Sequence, residues 1–423
     1  MPRARTRRRI LVLTSRNPYP VIGGDRLRIH RLARELSRQY DLTLVTFCDN
    51  ARDTVAPLPE DGVFKEVHRV VLPRWQSWLN SAVGLRATEP LQVAHYRSRE
   101  YHEIVQRLAP SHDAVIAHLI RTAEYARDLP LVRILDMSDA IPMSMHRVAS
   151  TKGEHWDFRR YLYGIEAERL LNYERAIARS FDLVSLISPI DARYVFDGQA
   201  AAADNVMVVP NGADVPSRQP PPQSARARNE IVFLGNLHSL QNFDGAWFFA
   251  RHVLPRVRER HPEAVLRIIG DVRSLGRRRL AALPGVRVEG FAPNLAAALA
   301  TARVGVCPIR LGAGVKNKVL DYFANRLAVV CSSNGLEGLQ ARPNEHLLIA
   351  NRIEEWTTQV CHLLEDDLAA QRLADAGREL VRTRYRWDDC ADPLLTRVNA
   401  LLHGETEPAS VPSQPRRLVG LAG

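Results

Sequence analysis

At 423 residues the chain is too long for one ordinary hydrophobic core, and two domains are the natural expectation. Its 46% hydrophobic and 25% charged content is that of a soluble globular protein and excludes disordered, collagen-like and membrane-spanning classes. A formal net charge of +11 points to an anionic partner, and a nucleotide-sugar, a nucleic acid or an anionic lipid would each qualify.

The first nine residues carry five arginines, but the apolar run at 10–13 is too short for a signal-peptide core. No run approaches the ~18 apolar residues of a membrane span, so a cytoplasmic location is expected. A strand is expected over 10–14, then a turn-rich loop through Pro18, Pro20, Gly23 and Gly24. A helix follows, capped by Asp25, with Leu27, Leu32, Ala33 and Leu36 on one face. With the next strand at 41–47 this is a βαβ unit, hence a parallel sheet. The loop lacks a full GxGxxG. It still places a Gly-Gly pair at the carboxyl end of a first strand, where doubly wound sheets bind ligands.

Residues 67–72, 113–118 and 132–135 read as strands. Residues 75–90 read as an irregular segment whose Trp75, Trp78 and Leu79 either pack or face an acceptor or membrane. A charge-laced helix over 154–180 leads to strands at 182–187 and 205–209 and to the turn Pro210-Asn-Gly-Ala-Asp214. Residues 216–229 are poor in apolar residues and hold four prolines, as a domain linker would. The αβ rhythm then restarts, with strands at 231–234, 265–269, 286–288, 304–309, 327–331 and 347–349. Helices are expected at 243–260, 294–302 and 316–326, with two more at the end. The division is therefore 1–212, a linker at 213–229, 230–385, a helix at 386–403 packing back on the first domain, and a disordered tail at 404–423. Two doubly wound parallel-sheet domains of α/β class, facing a cleft, is the expected fold.

Most of the chemistry is concentrated in Arg310-Leu-Gly-Ala-Gly-Val-Lys-Asn-Lys-Val-Leu-Asp321. Gly312 and Gly314 let backbone approach a ligand, and the helix that follows offers free N–H groups to an anion. Arg310, Lys316 and Lys318 add full charges. Only four of the 58 basic residues are lysines, at 65, 152, 316 and 318. Two of them fall here, where a compact ammonium can hold a phosphate as a point charge. Asp321, about 4.5 Å further along the helix axis than Lys318, suits a sugar hydroxyl such as a ribose. The alternative is a solvated basic helix start. The five cysteines are scattered, with no CxxC, and indicate neither a disulfide framework nor a zinc site.

These residues resemble the retaining glycosyltransferases of family 4 ("group 1"), which have the B-type (GT-B) fold of two facing Rossmann-like domains. The likeness is carried by Gly23-Gly24, Pro210-Asn-Gly-Ala-Asp214, Phe233-Leu-Gly235, Ile269-Gly-Asp271, Gly290-Phe291, the stretch 310–324 and Ser333-Asn-Gly-Leu-Glu-Gly-Leu339. It implies a nucleotide-diphosphate sugar on the C-terminal domain, an acceptor on the N-terminal one, and transfer with retention. By the same resemblance Arg310 and Lys318 neutralise the leaving diphosphate, and backbone N–H groups of Gly312, Ala313 and Gly314 approach the donor. Asp321 takes the ribose role of the second acid in an E-x7-E pattern, while His118 resembles the active-site histidine. Glu337, Gly235 and Lys316 would then lie near the donor. Arg28, just inside the first helix, is either within reach of donor or acceptor or a solvated helix-face arginine. The chain departs from the pattern in having Ala313 where the first acid stands, and Asn236 and Asn242 where an Arg and a Lys are usual.

Asp136 and Asp139 do not form a DxD, so metal-independent transfer is expected, with no cofactor beyond the donor itself. The partners expected are a nucleotide-sugar and a glycan or lipid-linked acceptor, in cell-surface or exopolysaccharide synthesis. Peripheral contact with an anionic membrane is a further expectation; nucleic acid is not expected, because no aromatic-interleaved basic motif appears. A non-catalytic binding subunit of the same fold is the competing reading, for which the missing acid at 313 is the argument.

Overall fold

The computed structural model describes residues 7–21, 23–48, 54, 57, 60–84, 89–150, 158–196 and 205–404, with the side chains of 158–160 left aside. Seven strands build the first sheet. They are β1 (Arg9–Thr14), β2 (Asp41–Cys48), β3 (Glu66–Val71), β4 (Ala114–His118), β5 (Val132–Ser138), β6 (Leu183–Leu186) and β7 (Val206–Val208). All pairings are parallel, in the order β3-β2-β1-β4-β5-β6-β7. The second sheet holds β8 (Glu230–Leu234), β9 (Val265–Ile269), β10 (Val286–Gly290), β11 (Val304–Cys307), β12 (Ala328–Cys331) and β13 (Leu348–Ile349). Its order is β10-β9-β8-β11-β12-β13, again all parallel.

Strand alternation decides the cores. In β1, Ile10 and Val12 join one buried cluster, while Leu11 and Leu13 join the other on the opposite face. The helix Gly24–Ser37 lays Ile29, Leu32 and Leu36 on the first of these. The terminal helix Trp387–His403 crosses back to add Leu394, Leu395, Val398 and Leu402 to that same cluster. All five cysteines are buried free thiols.

Several elements differ from the sequence reading. Residues 74–84 form a regular helix, Arg74–Gly84, not an irregular segment. The helix Ile141–Ser150, which the sequence reading does not anticipate, follows β5. The helix expected over 243–260 begins earlier, as Leu240–Phe248, and passes through a π-helical turn, Phe249–Val253, before Leu254–Arg260. Pro255 has no N–H to give the preceding turn, and the wider π turn falls just before it. The proline-rich segment is strapped to the second domain. Arg226 donates to the carbonyls of Leu299, Ala302 and Asn325, and the Gln223 amide to that of Arg326.

Of the arginine arm, Arg3 and Arg5 lie outside the described residues. Arg7, Arg8 and Arg9 pair with Asp41, Asp113 and Glu66 at 3.7, 3.6 and 3.3 Å. The start of the long helix at 154–157 and the tail beyond 404 also lie outside the described residues.

Candidate active site between the two domains

In each sheet the strand order reverses at one place, between β1 and β4 and between β8 and β11. Ligands of doubly wound folds bind outside the carboxyl ends of the strands at such a switch point. His118 ends β4, opposite Thr14 of β1. Gly235 follows β8, and Arg310 lies three residues beyond β11. The candidate residues of both halves therefore gather at the two switch points.

On the N-terminal side, His118 is buried and its Nδ1 lies 2.9 Å from Asp136 Oδ2. A carboxylate only accepts, so Nδ1 carries the proton. Nε2 is buried without a partner among the described residues. Asp136 also takes Arg28, whose Nη2 and Nε donate to it at 2.7 and 3.0 Å, and the Ser185 hydroxyl at 2.8 Å. Burial alone would raise the Asp136 carboxyl, but Arg28 and His118 hold it well below the usual carboxylate range. Arg28 is fully buried, and its Nε, Nη1 and Nη2 are all taken by protein acceptors. It donates to Val209 O at 2.8 Å and Asn211 Oδ1 at 2.9 Å. Asn211 in turn donates to Asn317 Oδ1, at 2.8 Å, on the first residue of the helix Asn317–Ala324. Gly24 faces the same Asn317, and a Cβ there would sit 3.7 Å from its amide. Gly23 is the residue just before the helix Gly24–Ser37. A polar chain thus runs from His118 to the helix that begins the basic stretch. The sequence reading assigned no role to Asp136 or Asn211, since their partners lie 18 to 183 residues away.

On the C-terminal side, Lys318 is buried and donates to Asn242 Oδ1 at 2.6 Å, with its ammonium 4.4 Å from the Phe233 ring centre. Burial pushes it down to about 8, with Lys316 adding to the shift and Cys307 opposing it. Asn242, at the place where the family pattern named above would put a Lys, is therefore the neutral amide that receives Lys318. Two ammonium groups at this distance in a dry site would repel each other. The Asn242 amide also lies 3.1 Å from where a Cβ on Gly235 would stand.

Arg310 makes a fork to Asp244, 2.6 and 3.1 Å, and stands 4.5 Å over the Phe248 ring. Lys316 turns back: its ammonium is buried and donates to the carbonyls of Ala313 and Gly314. Asp321 is partly buried; burial, with Asp214 adding and Lys318 opposing, pushes its carboxyl up to about 7.

The loop 312–314 is docked on the N-terminal domain by the helix Ile141–Ser150. The Ala313 N–H donates to Ser144 Oγ at 2.7 Å, and Ala313 packs in the N-terminal core. Arg147 donates to Gly312 O at 2.8 Å and to Glu337 Oε1 at 2.9 Å. Gly314 has φ 75°, and a Cβ there would stand 2.9 Å from that of Asp139 across the seam. Gly314→Ala should cost about 1–2 kcal/mol from left-handed strain alone. A thermal midpoint equal to wild type would contradict the left-handed conformation of Gly314. Among the described residues no three His, Cys, Asp or Glu side chains are grouped to hold a metal ion.

Comparison with known proteins agrees with this fold. Residues 23–212 match the glycosyl transferase 4-like domain, and residues 228–366 match the glycosyl transferases group 1 domain. The chain belongs to the group 1 glycosyltransferases. Similar solved structures of the GT-B fold include a sucrose-phosphate synthase from Thermosynechococcus elongatus, with a TM-score of 0.68 and 15% identity. That likeness covers 94% of this chain and 100% of that one. Anabaena HepE in complex with UDP and glucose has a TM-score of 0.62 and 14% identity, covering 92% and 99%. An uncharacterized 44.6 kDa protein in a cps region of Klebsiella pneumoniae is 32% identical over 130 residues. That match spans 29% of this group 1 chain and 33% of the relative's length.

Proposed function

We propose that the chain transfers a sugar, with retention, from a nucleotide-diphosphate sugar to a glycan or lipid-linked acceptor in surface-polysaccharide synthesis. The observation that carries the reading is Lys318, a buried cation in the first turn of the helix after β11. It stands next to Asn317, which a polar chain through Asn211, Arg28 and Asp136 joins to His118 of the other domain. HepE, a protein of the same fold, has been solved with UDP-glucose, which supports the donor class. The cps-region relative supports the pathway.

As the donor's glycosidic bond breaks, negative charge grows on the leaving diphosphate. Lys318, Arg310 and the open N–H groups of the helix Asn317–Ala324 oppose it with positive charge. Asp321 accepts from a ribose hydroxyl, and His118 Nε2 takes a hydrogen bond from a sugar hydroxyl in the cleft. Lys316 braces the loop and does not contact phosphate. Arg147 bridges Gly312 to Glu337, so an acid stands beside the loop although Ala313 supplies none. A binding subunit without turnover is the second reading, favoured by Ala313 and by the engaged Ala313 N–H.

Release of nucleoside diphosphate in the presence of acceptor membranes, with the product's anomeric configuration read by NMR, separates the two readings. Retained configuration supports the first; donor binding without release supports the second. Turnover is expected to survive a chelator, because positioned cations already neutralise the leaving group. Loss on chelation, restored by Mg²⁺ or Mn²⁺, would refute that part of the mechanism.

The proposal also fixes a pH response. Lys318 is charged below about pH 8 and loses its proton above it. The bound diphosphate favours the charged form, so the Lys318 contribution to donor affinity should be constant below pH 8. The Asp321 carboxyl, pushed up to about 7, gains its full negative charge only above that value. Affinity should fall by up to about tenfold per unit above 8. Calorimetric titration at several pH values checks this, and affinity rising above pH 8 would contradict it.

A further inference from the structure

The helix Arg74–Gly84 is built inside out. Ser77 and Gly84 are buried, Asn80 donates to Arg97 O at 2.9 Å, and the Ser81 hydroxyl lies 3.1 Å from His95 Nδ1. Its small and polar residues therefore face the domain. Trp75, Trp78, Leu79 and Val83 are instead 66%, 74%, 57% and 66% exposed. At roughly 100° per residue these four share one outward stripe, opposite the inward side chains. A helix of an ordinary globular surface shows the reverse arrangement. The helix contains no acidic residue. Indole rings favour the boundary between water and lipid, where an apolar body and an N–H are both accommodated.

Beside this stripe opens a cleft of about 720 Å³, within the usual size of a ligand site. It lies at the carboxyl ends of β1 and β2 and starts at Ser15, one residue beyond the register partner of His118. Arg16, Arg26, Arg74, His95 and Trp78 line it, and no Asp or Glu does. Asp25 and Asp61, bonded to the lining residues Arg16 and Tyr19, are not part of the wall. Arg26 and Arg74 make no ion pair among the described residues.

We propose that this cleft holds the phosphate headgroup of a long-chain lipid acceptor while the Trp75–Trp78 stripe enters the bilayer carrying it. The inference rests on the transferase reading and names its acceptor class. Charge and polarity select this occupant. A soluble anionic glycan would satisfy the arginines but leave the indoles in water. A second copy of the chain would bring like-charged clefts together. An amphiphile with an anionic head and a hydrocarbon tail meets both surfaces at once.

The test is co-sedimentation of the full chain with phosphatidylcholine vesicles, plain or carrying either a polyprenyl phosphate or phosphatidylserine. Binding should be strongest with polyprenyl phosphate. Trp75→Ala/Trp78→Ala should weaken it tenfold or more, and Arg74→Ala about fivefold, only where phosphate is present. The melting shift produced by nucleotide-sugar, which needs none of these side chains, serves as the folding control and should be unchanged in both variants. Equal binding to plain and polyprenyl-phosphate vesicles would overturn the proposal. So would unchanged binding of the tryptophan variant, phosphatidylserine binding as strong as polyprenyl phosphate, or a dimer that this variant dissolves. Vesicle binding of this pattern in a chain that no nucleotide-sugar stabilises would instead sink the transferase reading and leave the lipid site standing.

Discussion

Lys318→Ala lowers affinity for the nucleotide-diphosphate sugar about 30- to 150-fold. The figure follows from removing one charge-assisted contact in a mostly dry site, worth about 2–3 kcal/mol. Lys318 is buried, and its hydrogen-bond partner among the described residues is the neutral Asn242 amide, so no carboxylate is paired with it there. Arg310 differs. It is about half exposed and forked to Asp244, so a phosphate must compete with that carboxylate, and its replacement should cost less. Lys65→Ala, at an exposed site away from the seam, should leave affinity unchanged. Calorimetry on the three variants gives the ranking. Equal affinities for wild type and Lys318→Ala would remove the phosphate from this end of the helix.

Arg28→Ala should destabilise the chain by about 3–5 kcal/mol, because it strands the Asp136 carboxylate in the interior. Arg28 and Asp136 are both buried and meet through three contacts of 3.1 Å or less. The double variant Arg28→Ala/Asp136→Ala should be less destabilised than the sum of the two single changes, since neither charge is then left alone. Thermal unfolding of the four proteins of this cycle measures the coupling. Additive losses would mean that the pair does not act as a unit. The same cycle would also read on the N-terminal side of the site, since Asp136 sets the tautomer of His118 and Arg28 leads on to Asn211 and Asn317.

The parallel strands were legible because buried strands of this class are nearly continuous apolar runs, as in residues 10–13 and 304–307. The helix carrying Lys318 was legible because Val319, Leu320 and Phe323 mark its buried face after a glycine-rich turn. The helix Arg74–Gly84 was not, because its apolar residues point outward, and a stripe that packs on nothing resembles an irregular surface segment. Side-chain roles failed differently. Lys316 and Lys318 are alike in sequence, two positions apart at a helix start. Only the fold turns one ammonium back to the carbonyls of its own loop and leaves the other beside Asn242. Arg28 read as a helix-face arginine within reach of a ligand, yet its partners Asp136 and Asn211 lie 108 and 183 residues away. Ser144 and Arg147, which dock the glycine loop, sit on a helix with no strong pattern of its own.

The central claim is that the C-terminal domain binds a nucleotide-diphosphate sugar through Lys318. The most direct measurement is the melting temperature of the full chain across uridine, guanosine, adenosine, cytidine and thymidine diphosphate sugars, repeated with Lys318→Ala. A ligand that binds only the folded state raises its midpoint as concentration passes the dissociation constant. At least one donor should raise the wild-type midpoint in a saturable way, with the Lys318→Ala curve displaced to 30- to 150-fold higher concentration. No shift with any donor, or superimposable curves for the two proteins, would contradict the account.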